Sequence, residues 1–249
     1  MAPVKPALAR VLLRLFAVQA SYNYERMLGV GVGVAEEPLL RDLADDGGPD
    51  RYRAAVARGA HFFNAHPYLV GLAVGAAARA EHDGAAPDQV ERLRAALCGP
   101  LGSLGDRLVW VGWLPLLSGL ALCGIALGAG WTAVVAFLAI YNAGHVALRW
   151  WALRAGWEHG ARVGSALHHP LLQRGIAVLA PAMAAAVGAA LPLSAQYLAA
   201  PFAGLVQIAI VATAAVGFLA LRLLPERLTG LRLGLVLAAA ALAAGLLWP

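Results

Sequence analysis

The chain has 249 residues, 61% of them hydrophobic and 13% charged, with a mean hydropathy of +0.69. Soluble domains average about 45–50% apolar and about 25% charged residues, so this composition excludes a soluble globular protein and points to an all-α integral membrane fold. The net charge of +5 does not mark a nucleic-acid binder, because the basic residues end apolar runs instead of forming a stripe interleaved with aromatics.

Charge is unevenly spread. Residues 1–107 hold 12 of the 14 acidic and 12 of the 19 basic side chains, and beyond them only Glu158 and Glu226 are acidic. The chain divides on this basis into a polar-motif region, 1–107, and a transmembrane region, 108–249. Cys98 and Cys123 stand apart in apolar surroundings, so no disulfide framework, metal site or cofactor is expected.

Residues 8–20, LARVLLRLFAVQA, read as an amphipathic helix, and Arg10 and Arg14 interrupt any signal-peptide core. QASYNYERM, residues 19–27, then crowds polar and aromatic groups together. On a helix, Tyr22 and Arg26 share a face, as do Gln19 and Asn23, and Glu25 lies beside Tyr22. Amide and carboxylate groups suit sugar hydroxyls, and an aromatic face suits the C–H side of a sugar ring. A helix end at a membrane surface would use the same residues as solvated anchors. Gly29 and Gly33 have the spacing of a helix-packing pair. A turn at 47–49 precedes a charged helix.

FFNAHPYL, residues 62–69, places Pro67 after His66 and pushes His66 out of the helical region. Asn64 either caps the next segment or, with His66, offers polar groups at a broken helix. Residues 68–80 are apolar but too short to span, which predicts a re-entrant or interfacial helix. Its backbone must be satisfied inside the protein or beside water. GPLGSLGDRLVW, residues 99–110, carries three glycines that permit close approach. Asp106 either caps the following helix or stands as a carboxylate at a membrane boundary. The stretch lacks the Lys-Ser/Thr of a phosphate loop and the strand of a dinucleotide fold.

About four or five spans come next, at 108–128, 131–149, 174–195, 202–222 and 232–248. Arg149, Arg154, Arg162 and Arg174 flank one connection and Arg222, Arg227 and Arg232 another, which places those loops and the N-terminal third inside. Asn142, His145 and Arg149 fall within two turns. Trp150 and Trp151 read as interfacial anchors, and Arg149 is either a third anchor or the i,i+4 partner of His145.

Four stretches in order, LFAVQASYNYERML, HFFNAHPYLVG, GPLGSLGDRLVW and YNAGHVALRWWALRAGWEHG, resemble the IID component of mannose/fructose/sorbose-type phosphotransferase systems (PTS). The likeness covers about residues 12–165; beyond it only hydropathy agrees. Tyr22 stands where the family has Trp, and Leu114 where an Arg is common. The resemblance implies a non-enzymatic, multi-pass subunit of the bacterial inner membrane. Such a subunit pairs with a IIC membrane subunit to pass a hexose, while the cytoplasmic IIB protein, fed by IIA, phosphorylates the sugar. It implies three IIC–IID pairs per complex and no phosphorylation of IID itself. It marks Gln19, Asn23, Glu25, Asn64, His66 and Asp106 as substrate-binding residues. The other readings are an IID-like protein that regulates or scaffolds without transport, and a membrane enzyme, for which no nucleophile or metal constellation is present.

Overall fold

The computed structural model describes residues 7–201 and scattered helical positions from 204 to 223. Of the expected spans, 202–222 is described only at those positions, and 232–248 lies outside the described residues. The chain divides into two compact units between Leu191 and Pro192. The candidate site and the packing around it belong to the first unit.

The described elements are helical: α1 (Leu8–Phe16), α2 (Gly29–Leu40), α3 (Leu43–Gly59), α4 (Val70–His82), α5 (Pro87–Gly105), a π-helical segment (Asp106–Trp113), α6 (Leu114–Ala126), α7 (Trp131–His159), a 3₁₀ segment (Gly160–His168) and α8 (Pro170–Ala199). The turn expected at 47–49 appears as a kink in α3, where Gly48 adopts φ 79°.

The short apolar segment becomes α4, the centre of the fold. All its residues except Arg79 and His82 are buried, and it is flanked by α2, α5, α7 and the 3₁₀ segment. Packed on every side, it is apolar all round from Val70 to Ala78. Its contact with α7 is close because glycine lies on both helices. A Cβ on Gly75 would fall 2.5 Å from the Leu153 carbonyl oxygen, and one on Gly156 would collide with that of Leu72. The helix backbones therefore touch, as they do where small residues line a membrane-helix contact. Gly29 and Gly33 serve the same end, against the backbone of Ala60–His61.

α5, the π-helical segment and α6 run as one helix, Pro87–Ala126. Its 40 residues rise about 60 Å, twice a bilayer's hydrocarbon core, so the polar α5 half stands outside and the apolar half from Leu108 enters. Pro115 has no N–H to continue the α pattern. The chain widens just before it, and the Leu114 N–H reaches the Val109 carbonyl five residues back. α7 exceeds the expected 131–149 span by ten residues, and this extension carries the glycine contact with α4. Two stretches are long and apolar enough to cross a membrane, Pro87–Ala126 and Trp131–Leu198. Their outer faces bear exposed apolar side chains, among them Leu120, Val135 and Val178, as lipid contact requires.

Charge inside the N-terminal helices is paired. Arg94 donates to Glu36 at 3.0 Å and to the Gly59 carbonyl at 2.7 Å, and lies 5.3 Å over the Phe63 ring. Burial pushes the Glu36 carboxyl up to about 7 against the opposing pull of Arg94. Arg58 grips Glu81 through both oxygens. Glu37 accepts from Arg41, Tyr52 and Arg14. The Arg41 hydrogen bond is the main cause that lowers its pKa to about 2.

This packing makes two outcomes measurable. Gly75→Ala lowers the thermal unfolding midpoint by several degrees in detergent, since overpacking costs about 1–3 kcal/mol, whereas Gly188→Ala, in a helix with open space around it, does not lower it. Glu37 has a depressed folded pKa, so its stabilisation is complete above 4.5 and vanishes as pH falls toward 2. Thermal melts should therefore separate the wild-type chain from Glu37→Gln at pH 7, and the gap should close on acidification.

Candidate functional site

Residues 17–28 correct one expectation: they form a compact turn, not a helix. Asn23 is the cause. Its side-chain oxygen accepts the N–H of Glu25 (3.1 Å) and of Arg26 (2.8 Å), and its amide donates to the Ser21 carbonyl (3.1 Å). Asn competes with helical backbone pairing in this way. The Met27 N–H closes the turn on the Asn23 carbonyl at 2.8 Å, with Met27 at φ 52°. Gln19 and Glu25 are exposed on the turn.

The turn is stitched to the second motif by backbone. The Leu28 N–H donates to the Phe63 carbonyl (2.9 Å), and the Phe63 N–H donates to the Arg26 carbonyl (3.2 Å). Phe63 itself is fully buried. Two stretches far apart in sequence thus form one piece.

Arg149 holds this piece against α7. The residue is 3% exposed, which rules out an interfacial anchor and favours the pairing with His145. One guanidinium nitrogen donates to the Leu15 carbonyl at the end of α1 and to the Pro67 carbonyl at the helix break. Nε donates to His145 at 2.8 Å. The cation also lies 4.7 Å from the Tyr68 ring centre and 5.4 Å from that of Phe16. No carboxylate is among these partners; carbonyl dipoles and ring faces solvate the charge. Tyr68 in turn stacks on His145 at 4.2 Å and shares a 2.7 Å hydroxyl contact with Tyr141.

His66 adjoins this network and is 2% exposed. Its Nδ1 accepts the Tyr68 N–H at 3.2 Å, so Nε2 carries the ring proton. Nε2 has no hydrogen-bond partner among the described residues. Outside the two long apolar stretches, the ring keeps a pKa lowered to about 4, first by burial and then by Arg149. His66 is therefore a neutral donor at pH 7. Gly105 makes room for it: a Cβ there would collide with the His66 side chain.

Asn64, His66 and Asp106 line one open cavity of about 600 Å³, with Phe62, Cys98 and Ser103 also on its wall. The second and third motifs therefore meet, with an amide, an imidazole and a carboxylate around one space. Gln19, Asn23 and Glu25 do not line it; they sit on the turn tied to Phe63. Cys98 on the cavity wall, and Arg149, Tyr68 and Tyr141 in the network beside it, are positions that motif reading does not single out. An arginine inside an apolar run is the available signal, because such a charge faces the protein interior or a polar path.

Residues 4–203 match the family described as the PTS system mannose/fructose/sorbose family IID component. This chain belongs to the IID family. Among its relatives, the sorbose-specific EIID component of Klebsiella pneumoniae is 31% identical over 176 residues, 67% of this chain and 62% of that protein. The mannose-specific EIID component of Escherichia coli K12 is 27% identical over 169 residues, 66% of this chain and 59% of that one. The IID chain thus spans about three-fifths of the length of these curated relatives. Two solved structures share its fold. One, described as a membrane protein, has a TM-score of 0.71 at 20% identity, covering 95% of this chain and 94% of that one. The other, the mannose transporter ManYZ in complex with microcin E492, has a TM-score of 0.57 at 19% identity, covering 97% and 96%. Membership of the IID family places the chain among the membrane components of the PTS, and the matched residues include every element of the site.

Arg149→Met leaves the Leu15 and Pro67 carbonyls without their donor. Each buried orphan costs about 1–3 kcal/mol, so the unfolding midpoint falls and protease cleavage between residues 61 and 69 accelerates. Arg149→Lys, which keeps the charge but not the fork, recovers only part of both.

Proposed function

We propose that this chain is the IID subunit of a mannose-type PTS permease in the bacterial inner membrane. It crosses the membrane several times and forms the hexose pathway with a IIC subunit. A IIB protein, supplied by IIA, phosphorylates the sugar as it enters. The chain contributes no phosphoryl chemistry of its own, and three IIC–IID pairs make the working complex.

The observation that carries this reading is the cavity shared by Asn64, His66 and Asp106. An amide with both donor and acceptor and a carboxylate acceptor, beside the buried neutral His66 ring, are a set that hexose hydroxyls can satisfy. Gln19 and Glu25 extend it as exposed groups on the neighbouring turn, where a IIC surface can join them to the sugar. Asn23 acts by shaping that turn, because its own amide is committed to the loop backbone. Relatives described as sorbose- and mannose-specific, and a fructose permease IID component of Bacillus subtilis 25% identical over 148 residues, support a hexose as cargo.

Co-expression with the neighbouring IIC and IIB genes tests the proposal. Uptake of labelled hexose should require all three proteins, and Glu25→Gln should reduce it without loss of folded protein. Normal uptake in that variant would remove Glu25 from the site. A stable IIC complex that takes up no hexose would favour a regulatory or scaffolding role instead.

A further inference from the structure

A second cavity, lined in part by Tyr68 and His145, lies apart from Asn64, His66 and Asp106. Leu108, Val109 and Trp113 line one wall, Gly144 and Leu148 the second, and Val178 and Leu179 the third, enclosing about 380 Å³. Its walls are the apolar start of the Pro87–Ala126 span, the middle of α7 and the first turns of α8. Val178 is 65% exposed, so the groove opens sideways toward the bilayer.

The two outer walls run parallel and in register. A Cβ on Gly175 would lie 3.0 Å from Leu108, one on Gly112 would lie 3.0 Å from Leu179, and one on Gly119 would lie 3.0 Å from Ala186. The same stagger recurs at each level. One residue before the first contact, each helix carries an arginine: Arg107 and Arg174. Both are exposed, and neither has an acidic partner among the described ion pairs. The positive-inside rule puts both at the cytoplasmic face. The groove is thus apolar along its length and cationic at one end.

We propose that Arg107, Arg174 and this groove bind an anionic phospholipid, with the phosphate between the two guanidinium groups and an acyl chain along Leu108, Trp113, Val178 and Leu179. Guanidinium forks match phosphate geometry and hold it by charge-assisted hydrogen bonds. Basic positions between membrane helices at the cytoplasmic side recognise anionic headgroups in this way. The groove selects a lipid over a free phosphate ester, because an acyl chain buries apolar surface that a soluble anion lacks. The proposal needs only that the chain sits in a membrane, so it stands or falls apart from sugar transport.

The test is native mass spectrometry of the full chain released from nanodiscs of equimolar phosphatidylglycerol and phosphatidylcholine. The wild-type protein should retain phosphatidylglycerol over phosphatidylcholine by about fivefold or more, since 1.4 kcal/mol is a factor of ten and two charge-assisted contacts reach that range. Arg107→Gln with Arg174→Gln should abolish that preference while leaving the folded yield unchanged, and Arg53→Gln, a surface change on α3, should not. Val178→Trp, which fills the groove, should reduce retention of both lipids. Unchanged preference in the double variant would overturn the proposal. So would displacement of the lipid by millimolar glycerol phosphate, which would mark a free-anion site. Loss of IIB binding in the double variant with lipid retention intact would assign the arginines to a protein contact, and the lipid proposal would fall.

Discussion

A single buried cation organises the polar half of this molecule. Arg149 sits on a helix that is apolar for most of its length, and it faces inward with no carboxylate partner among the described residues. Desolvating it is costly, and geometry offsets the cost: two carbonyls from distant segments, a histidine nitrogen and two aromatic faces. Hydrogen bonds to a charged donor contribute about 1.5–3 kcal/mol each. The end of α1 and the break at Pro67 are therefore held where the charge requires them. Tyr68 and His66 come with them, because both adjoin Pro67, and with His66 comes the wall of the cavity.

The glycine contact between α4 and α7 makes that position reachable. The two backbones approach closely enough for Pro67, just ahead of α4, to meet Arg149 on α7. A larger residue at Gly75 or Gly156 would move the helix break away from the cation. On the opposite wall, Gly105 lets α5 lie against the His66 ring, and Asp106 comes at once after it. Small residues at three places thus decide that an amide, an imidazole and a carboxylate share one space.

What is legible in the sequence is the part governed by local rules. Hydropathy reveals the class and the apolar runs from residues 108 and 131 that fall within the two long apolar stretches, because roughly twenty apolar residues in a row have few alternatives. The kink at Gly48, the break at Pro67 and the packing glycines of α2 are readable from backbone chemistry. The turn at 17–28 is not, because its outcome depends on Asn23 preferring its own loop backbone over a helical ladder, and propensity alone leaves the two close. The sequence leaves Arg149 between an interfacial anchor and a partner of His145, because its run of Arg-Trp-Trp also fits an interface. Its true partners lie 82 and 134 residues away in sequence, a separation that no local pattern encodes. That Asn64, His66 and Asp106 adjoin one cavity depends on how α4 and α5 pack, which motif order alone does not determine. Burial of His66, with Nε2 left as a donor, is visible only in three dimensions.

Cys98 lines the same cavity as Asn64, His66 and Asp106, and it gives direct access to the central claim that hexose contacts this space. The measurement is the rate of maleimide labelling at Cys98, in a Cys123→Ser background, with the chain assembled with IIC in membranes. Saturating transported hexose should slow labelling several-fold, and a disaccharide at the same concentration should not. Labelling that stays equally fast with and without hexose, in a complex that still takes up sugar, would contradict the account and move the sugar path elsewhere.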